Sequence, residues 1–477
     1  MKKLLLFPSM MLMLMVSFNA CKREGCTDPK ALNYDEKARN DNGTCIYEEP
    51  PKEDSVLVIK DTGSGTGTTK WTSDKTYILD GLVFVNSGQT LTIEAGTVIK
   101  GKSGTGENAS ALIVAKGGKI MADGTAAKPI IFTFENDPLD GSIPVTTRGQ
   151  WGGVIILGNA SLNSSPGTTA IEGIPTTETR GIYGGTNDAD NSGTFRYVSI
   201  RHGGTDIGAG NEINGLTLGG VGSGTTIEYI EVIANADDGV EFFGGTANTK
   251  YVVTAYCGDD SFDYDEGFRG KGQFWFTLQD PAEGDRGGEH DGGTSPEDGM
   301  PYATPKIYNA TYAGRGMSEG TRALTFRDNA GGEYHNSIFI DWGKGFDIEN
   351  LASGEDSYNR FLNNQLKFAG NVFYNVAVNG AGATAADIFK VVIDTTGQSV
   401  FQASFNANGN TVADPGIIHN LSAGTINPVP SNASNVSNAI APSDGWYSNV
   451  TYKGAFAPGA SNWAKGWTLI DKSGKLQ

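Results

Sequence analysis

Two stretches decide the fold: "IEYIEVIANADDGVEFFGG" (227–245) and "TKYVVTAYCGDDSFDYDEG" (249–267). They align without a gap at a shift of 22 residues, placing Asp237 on Asp259, Asp238 on Asp260, Val240 on Phe262 and Glu241 on Asp263. Related strand–turn–strand units recur as "FRYVSIRHGG" (195–204), "PKIYNATYAG" (305–314), "EYHNSIFIDWGKGFDIEN" (333–350) and "LKFAGNVFYN" (366–375). Short strands, glycine-marked corners and a period in the low twenties predict an all-β chain, a right-handed parallel β-helix. Each turn of the chain would form one coil of about three strands, stacked on the next at about 4.8 Å.

Upstream, "LTIEAGTVIKG" (91–101) and "LIVAKGGKIMADG" (112–124) align at a 21-residue shift, Gly96 on Gly117 and Ile99 on Ile120. Alternation there predicts Leu91, Ile93 and Val98 inward, with Thr92 and Glu94 outward. Asn309, Asn336 and Asn371 occupy similar places in their units and are candidates for an amide ladder at a corner. A leucine-rich repeat is the main rival, but its leucine/asparagine consensus is missing. The solenoid is expected over 56–445, followed by a segment carrying Trp446, Tyr447, Tyr452, Phe456, Trp463 and Trp467. An open β-helix end exposes unpaired strands, so 446–477 reads as an aromatic cap.

Composition agrees with this architecture: 67 glycines among 477 residues and 38% hydrophobic residues suit strands and tight turns better than helices. A formal charge of −18 argues against nucleic-acid binding, because phosphates would be repelled. The chain opens "MKKLLLFPSMMLMLMVSFNAC", two lysines and an apolar run interrupted by Pro8, which reads as an export signal over 1–20. "FNAC" resembles a bacterial lipobox, and that resemblance implies acylation of Cys21.

"GCTDPKALNYDEKARNDNGTCIY" (25–47) resembles small acidic modules of Bacteroidota surface proteins, which look like relatives of thrombospondin type 3 calcium repeats. Asp28, Asn33, Asp35, Asp41 and Asn42 supply oxygens there, on a chain with little core of its own. In an oxidising compartment Cys26 and Cys45 are expected to pair; the module is then either a calcium site or a disulfide-stapled spacer. "EEPPKEDS" (48–55) reads as a stiff linker, and Cys257, in an apolar strand context, as a buried free thiol.

The segment from Gln150 to the C-terminus resembles a family of Bacteroidota lipoproteins with β-helix repeats. The motifs are "QWGGVIILGNASLN", "AIEGI", "NADDGVEFFGG", "GDDSFDYDEGFRGKGQF" and "YKGAFAPGASNWAKGWTLI". The resemblance implies a surface-exposed protein of the outer membrane, and supplies no reaction.

In-register coils stack the acids of the opening stretches about 5 Å apart, and such pairs do not both stay ionised cheaply. A cation, a base or a proton must neutralise them. Asp265, Glu266, Asp285, Glu289 and Asp291 are positioned to join, and Arg269, Lys271, Arg286 and His290 are the candidate bases. Three readings stay open: turn capping of backbone amides, calcium on Asp237, Asp238, Glu241, Asp259, Asp260 and Asp263, and catalysis. In the catalytic reading Asp259 and Asp260 resemble polygalacturonase G-D-D text, and Arg269 or Lys271 would serve as a lyase base. Trp275 in "GQFWF", with Arg269, is a candidate for stacking on a sugar; the alternative is that Trp275 only covers the wall. His202 and His335 read as corner residues. The first functional reading is therefore a non-catalytic, calcium-stabilised, membrane-anchored β-helix that binds a glycan, an envelope component or an outer-membrane protein. The alternative is a calcium-dependent polysaccharide lyase or polygalacturonase-like hydrolase.

Overall fold

The computed structural model describes residues 23–29, 31, 33–45, 55–208, 211–293, 295–442 and 444–477. Cys21, the export signal and all of the linker but Ser55 lie outside the described residues. The chain divides into two units at Ser55/Val56.

In the small unit Cys26 and Cys45 are joined by a disulfide, with Cα atoms 4.8 Å apart. Its acids shape turns. Asp35 pairs with Arg23 at 2.8 Å and accepts the Lys37 amide, while Asp41 accepts the Gly43 amide and Asn33 donates to the Thr44 carbonyl.

The large unit is a parallel β-helix. Among its described residues, one wall is a ten-stranded parallel sheet running from Leu82–Val85 to Phe389–Ile393, and the remaining walls merge into an eighteen-stranded sheet. The deciding register is as expected: Val240 pairs with Phe262, Glu241 with Asp263, and Ile230 with Val252. The earlier coils differ. Ile120 pairs with Leu91, and Ile99 with Phe132, so the 21-residue alignment matched one glycine corner to a different one. Val98 also faces away from the core, and Ile99 fills it instead, because buried Thr97 shifts the alternation after the Gly96 corner.

Long strands turn between two walls at one left-handed residue per coil. Tyr197, Tyr229, Tyr251, Phe274, Asn309 and Asn336 all have φ between 48° and 59°, an uncommon region for residues with a Cβ. The four aromatics stack, Tyr197–Tyr229 and Tyr229–Tyr251 at 4.3 Å and Tyr251–Phe274 at 4.9 Å between ring centres. The asparagine ladder forms elsewhere than expected. Asn371 pairs with Asn410 inside the coil, whereas Asn309 and Asn336 donate to the carbonyls of Tyr452 and Ile440. The phase of the repeat explains this, since His335 pairs with Ala369 and the residue matching Asn336 is therefore Gly370.

The aromatic C-terminal segment covers a flank of the coils rather than an end. Phe456, Ala464 and Ile470, joined by Ile426 and Val436 from just before the segment, pack in one cluster with Ile233, Val253, Phe276 and Ile338. The last coil is instead closed by the helix Gln398–Ala407, whose buried Phe401 and Phe405 rest on Phe389.

Trp275 is fully buried and stacks on Phe262 at 4.3 Å, donating to Thr249 Oγ1 at 2.9 Å. Its proposed sugar-stacking role is therefore corrected: after the left-handed Phe274, the strand directs position 275 into the core. Cys257 is buried and unpaired, its thiol pushed up to about 12 by burial.

Candidate functional site

The ten-stranded wall alternates inward and outward side chains, as a pleated strand must. Val240 and Phe242, Phe262 and Tyr264, and then His290 enter the core, while Glu241, Asp263 and Glu289 form a column on the outside. His290 is thereby removed from the list of bases. It lies between Tyr264 and Tyr334, with Nε2 2.7 Å from the Tyr334 hydroxyl, and burial pulls its pKa down to about 3.

At the corner before these strands the acids cap successive coils. Asp238 Oδ1 accepts the Asp260 amide at 2.8 Å, and Asp260 Oδ1 accepts the Arg286 amide at 2.5 Å. Each carboxylate thus holds the equivalent residue one coil further on. Arg286 also reaches Asp260 at 3.5 Å, Asp285 at 2.8 Å and Glu289 at 3.2 Å. Arg327, two coils beyond Asp263, meets Glu289 at 2.8 Å and Asp291 at 2.7 Å, and Arg322 meets Asp347 at 3.1 Å. Arginines on the later coils therefore take up part of the charge that accumulates on the earlier ones.

The wall is also covered. An arm between the strands Val154–Leu157 and Gly193–Arg201 lies over it, and carries Glu172 to the wall. Asn214 donates to both Glu172, at 3.0 Å, and Glu241. Tyr183 and Ser164 of the arm donate to Glu266. Asp263 Oδ1 is sealed from solvent. Burial first, then neighbouring carboxylates, holds Asp238, Glu241, Asp260 and Asp263 well above the usual carboxylate range. Glu172 is raised for the same leading reason.

One edge of the wall stays open. Asp237, Asp238 and Asp259 bring one carboxylate oxygen each within 4.8 Å of one another, as do Asp259, Asp260 and Asp285. A third such group, Glu297, Asp328 and Glu349, lies where the 280–304 loop meets the later coils. Hard oxygens at this separation fit the first shell of calcium, whose bonds of about 2.4 Å keep neighbouring ligands three to five ångströms apart.

The two bases assigned to catalysis are engaged with other partners. Arg269 donates to Ser161 Oγ at 2.7 Å, to Gly267 O at 2.6 Å and to Asp188 at 3.1 Å. Lys271 lies on the eighteen-stranded sheet and pairs with Asp444 of the C-terminal segment. Sequence proximity misled here because a corner lies between Glu266 and Lys271, and residues on opposite sides of a corner serve different walls. Glu172, Asn214, Tyr183, Arg322 and Arg327 were not anticipated. Only the outward phase of Arg327, beside Thr325 and opposite to Leu324 and Phe326 in "RALTFR", was available to signal one of them.

These features define a single-stranded solenoid with one acidic, partly covered wall and a strapped flank. Residues 63–468 match the sequence model of a family described as the pectate-lyase-like β-helix domain, and the chain belongs to that family. No curated protein and no solved structure matches it.

Proposed function

We propose that the protein is a non-catalytic, membrane-anchored β-helix that presents a binding or scaffolding surface, its acidic wall stabilised by calcium at the Asp237–Asp238–Asp259 edge. The observation that carries this reading is the state of the acids. Asp238 and Asp260 accept backbone amides, Arg286 reaches Asp260, and the open edge offers converging oxygens suited to a hard cation. The expected partners are a glycan or an outer-membrane protein, with anchorage through acylated Cys21 at the outer membrane. Calorimetric titration with Ca²⁺ tests the central claim: one or two sites should appear, and Asp259→Asn should weaken them. A flat titration would remove calcium from the account.

Family membership supports a second reading, a calcium-dependent lyase or hydrolase acting on an acidic polysaccharide at Asp259, Asp260 and Asp285. A screen of acidic polysaccharides with and without chelator separates the two. Chelator-sensitive release of unsaturated products would establish turnover and overturn the non-catalytic reading.

A further inference from the structure

A cavity of about 250 Å³ lies between the corner 137–143, the strand end at Arg201 and the C-terminal helix Leu469–Lys472. Ile131, Leu139, Ile143 and Leu469 give it apolar walls, and Arg201, His202, Lys472, Asp137 and Asp140 also line it. Arg201 is 4% exposed, in a chain whose formal charge is −18. A buried guanidinium normally sits against a carboxylate, because desolvating it alone is costly.

Here Glu231 and Asp137 lie near enough to favour its charge, but among the described residues neither forms an ion pair with it, and both accept bonds from other donors. Glu231 accepts the Leu469 amide at 2.7 Å, the Ile470 amide at 2.9 Å and the Ser199 hydroxyl at 2.5 Å. Asp137 accepts the Thr133 hydroxyl at 2.7 Å and the Leu139 amide at 2.8 Å. Among the described residues the Arg201 side chain makes one hydrogen bond, Nε to Ser199 Oγ at 2.7 Å, and its Nη2 has no partner. Lys472, exposed at the mouth, is a second cation beside it, and its pKa is lowered by partial burial and then by Arg201. His202 donates Nδ1–H to the Thr147 carbonyl at 2.7 Å, and burial lowers the pKa of the ring.

We propose that this cavity is a binding site for a small organic monocarboxylate, its carboxylate held between Arg201 and Lys472 and its short apolar body against Ile131, Ile143 and Leu469. Guanidinium–carboxylate bonding is charge-assisted. A doubly charged anion suits the site less, because Asp137 and Glu231 stand close to the same guanidinium and would repel it. The volume falls below the usual range for drug-sized ligands, so the ligand is a small one. This inference is independent of the acidic wall and of calcium.

The test is calorimetric titration of the full chain with pentanoate, with its uncharged isostere pentanamide, and with inorganic phosphate. Pentanoate should bind and raise the melting temperature, and pentanamide should do neither. Lys472→Ala, at the exposed mouth, should weaken pentanoate binding about tenfold, the loss of one charge-assisted contact. Arg201→Gln should abolish binding, with circular dichroism confirming that the variant folds. If Arg201→Gln does not fold, Ile143→Trp, which fills the cavity, replaces it and should also abolish binding. Absence of pentanoate binding at tens of millimolar, unchanged affinity in Lys472→Ala, or tighter binding of phosphate than of pentanoate would each overturn the proposal.

Discussion

Two faces of the same coils show opposite consequences of stacking like on like. On the flank, Tyr197, Tyr229, Tyr251 and Phe274 repeat an aromatic at one corner, and each ring stacks on the next, Tyr229 and Tyr251 on both sides. On the ten-stranded wall, Glu241, Asp263 and Glu289 repeat an acid, and each carboxylate gains a repulsive neighbour. A parallel β-helix multiplies whatever side chain occupies a column. Apolar columns therefore stabilise by repetition, whereas charged columns need outside help. That help comes from elsewhere in the chain: Arg286 and Arg327 from later coils pair with Glu289, and the Asn214 amide donates to Glu241.

The comparison can be broken most forcefully where both faces share a core. Trp275 lies beneath the wall strand carrying Phe262, and Trp275→Ala should cost about 4 kcal/mol in chemical denaturation. Removing the wall's counter-charge comes next. Arg286→Gln leaves Asp260 buried without its cation and should cost about 2 kcal/mol, and Asp260→Asn in the same chain should recover part of it. On the flank, Tyr229→Ala removes three ring contacts and should cost about 1–2 kcal/mol, with no dependence on pH between 5 and 8.

The wall should respond to pH in a definite direction. The folded pKa values of Asp238, Glu241, Asp260 and Asp263 are raised, so the folded state holds more protons than the unfolded one. Their contribution is complete below the unfolded carboxylate range and is lost as pH rises through the folded values. In chelator, the melting temperature should rise as pH falls from 8 towards 5. With calcium, that slope should flatten, because the cation does the proton's work at high pH. A smaller effect closes the series: Lys271→Ala should change stability by less than ~1 kcal/mol, as its partner Asp444 is partly exposed.

The 22-residue alignment of 227–245 with 249–267 carried the fold, because a parallel register leaves a directly readable period. Turn capping by Asp238 and Asp260 was among the three readings it left open, and the structure shows that geometry. What the alignment could not carry was anything arriving from a different period. Glu172 sits in an arm that interrupts the repeat, and Arg327 lies two coils on. Trp275 shows a second limit. Alternation assigned Trp275 and Phe276 to opposite faces, but which face is the core depends on a left-handed corner at Phe274 that no period reveals. The Asn371 assignment slipped by one position for a related reason, as asparagines at neighbouring places serve different bonds.

The strapped flank also changes how the solenoid should fold. Stacked repeats ordinarily touch only their neighbours, so their stability builds up along one dimension and their ends fray independently. Here the closing segment runs back against the order of the coils. It meets Asn336 through Ile440, Asn309 through Tyr452, and Glu231 through Leu469 and Ile470. Glu231 and Ile470 are 239 positions apart in the chain, so this closure carries a large loop-entropy cost and comes late. Once made, it ties distant coils into one cooperative unit. Until residues 440–470 are in place that closure cannot form, and the aromatic flank stays uncovered.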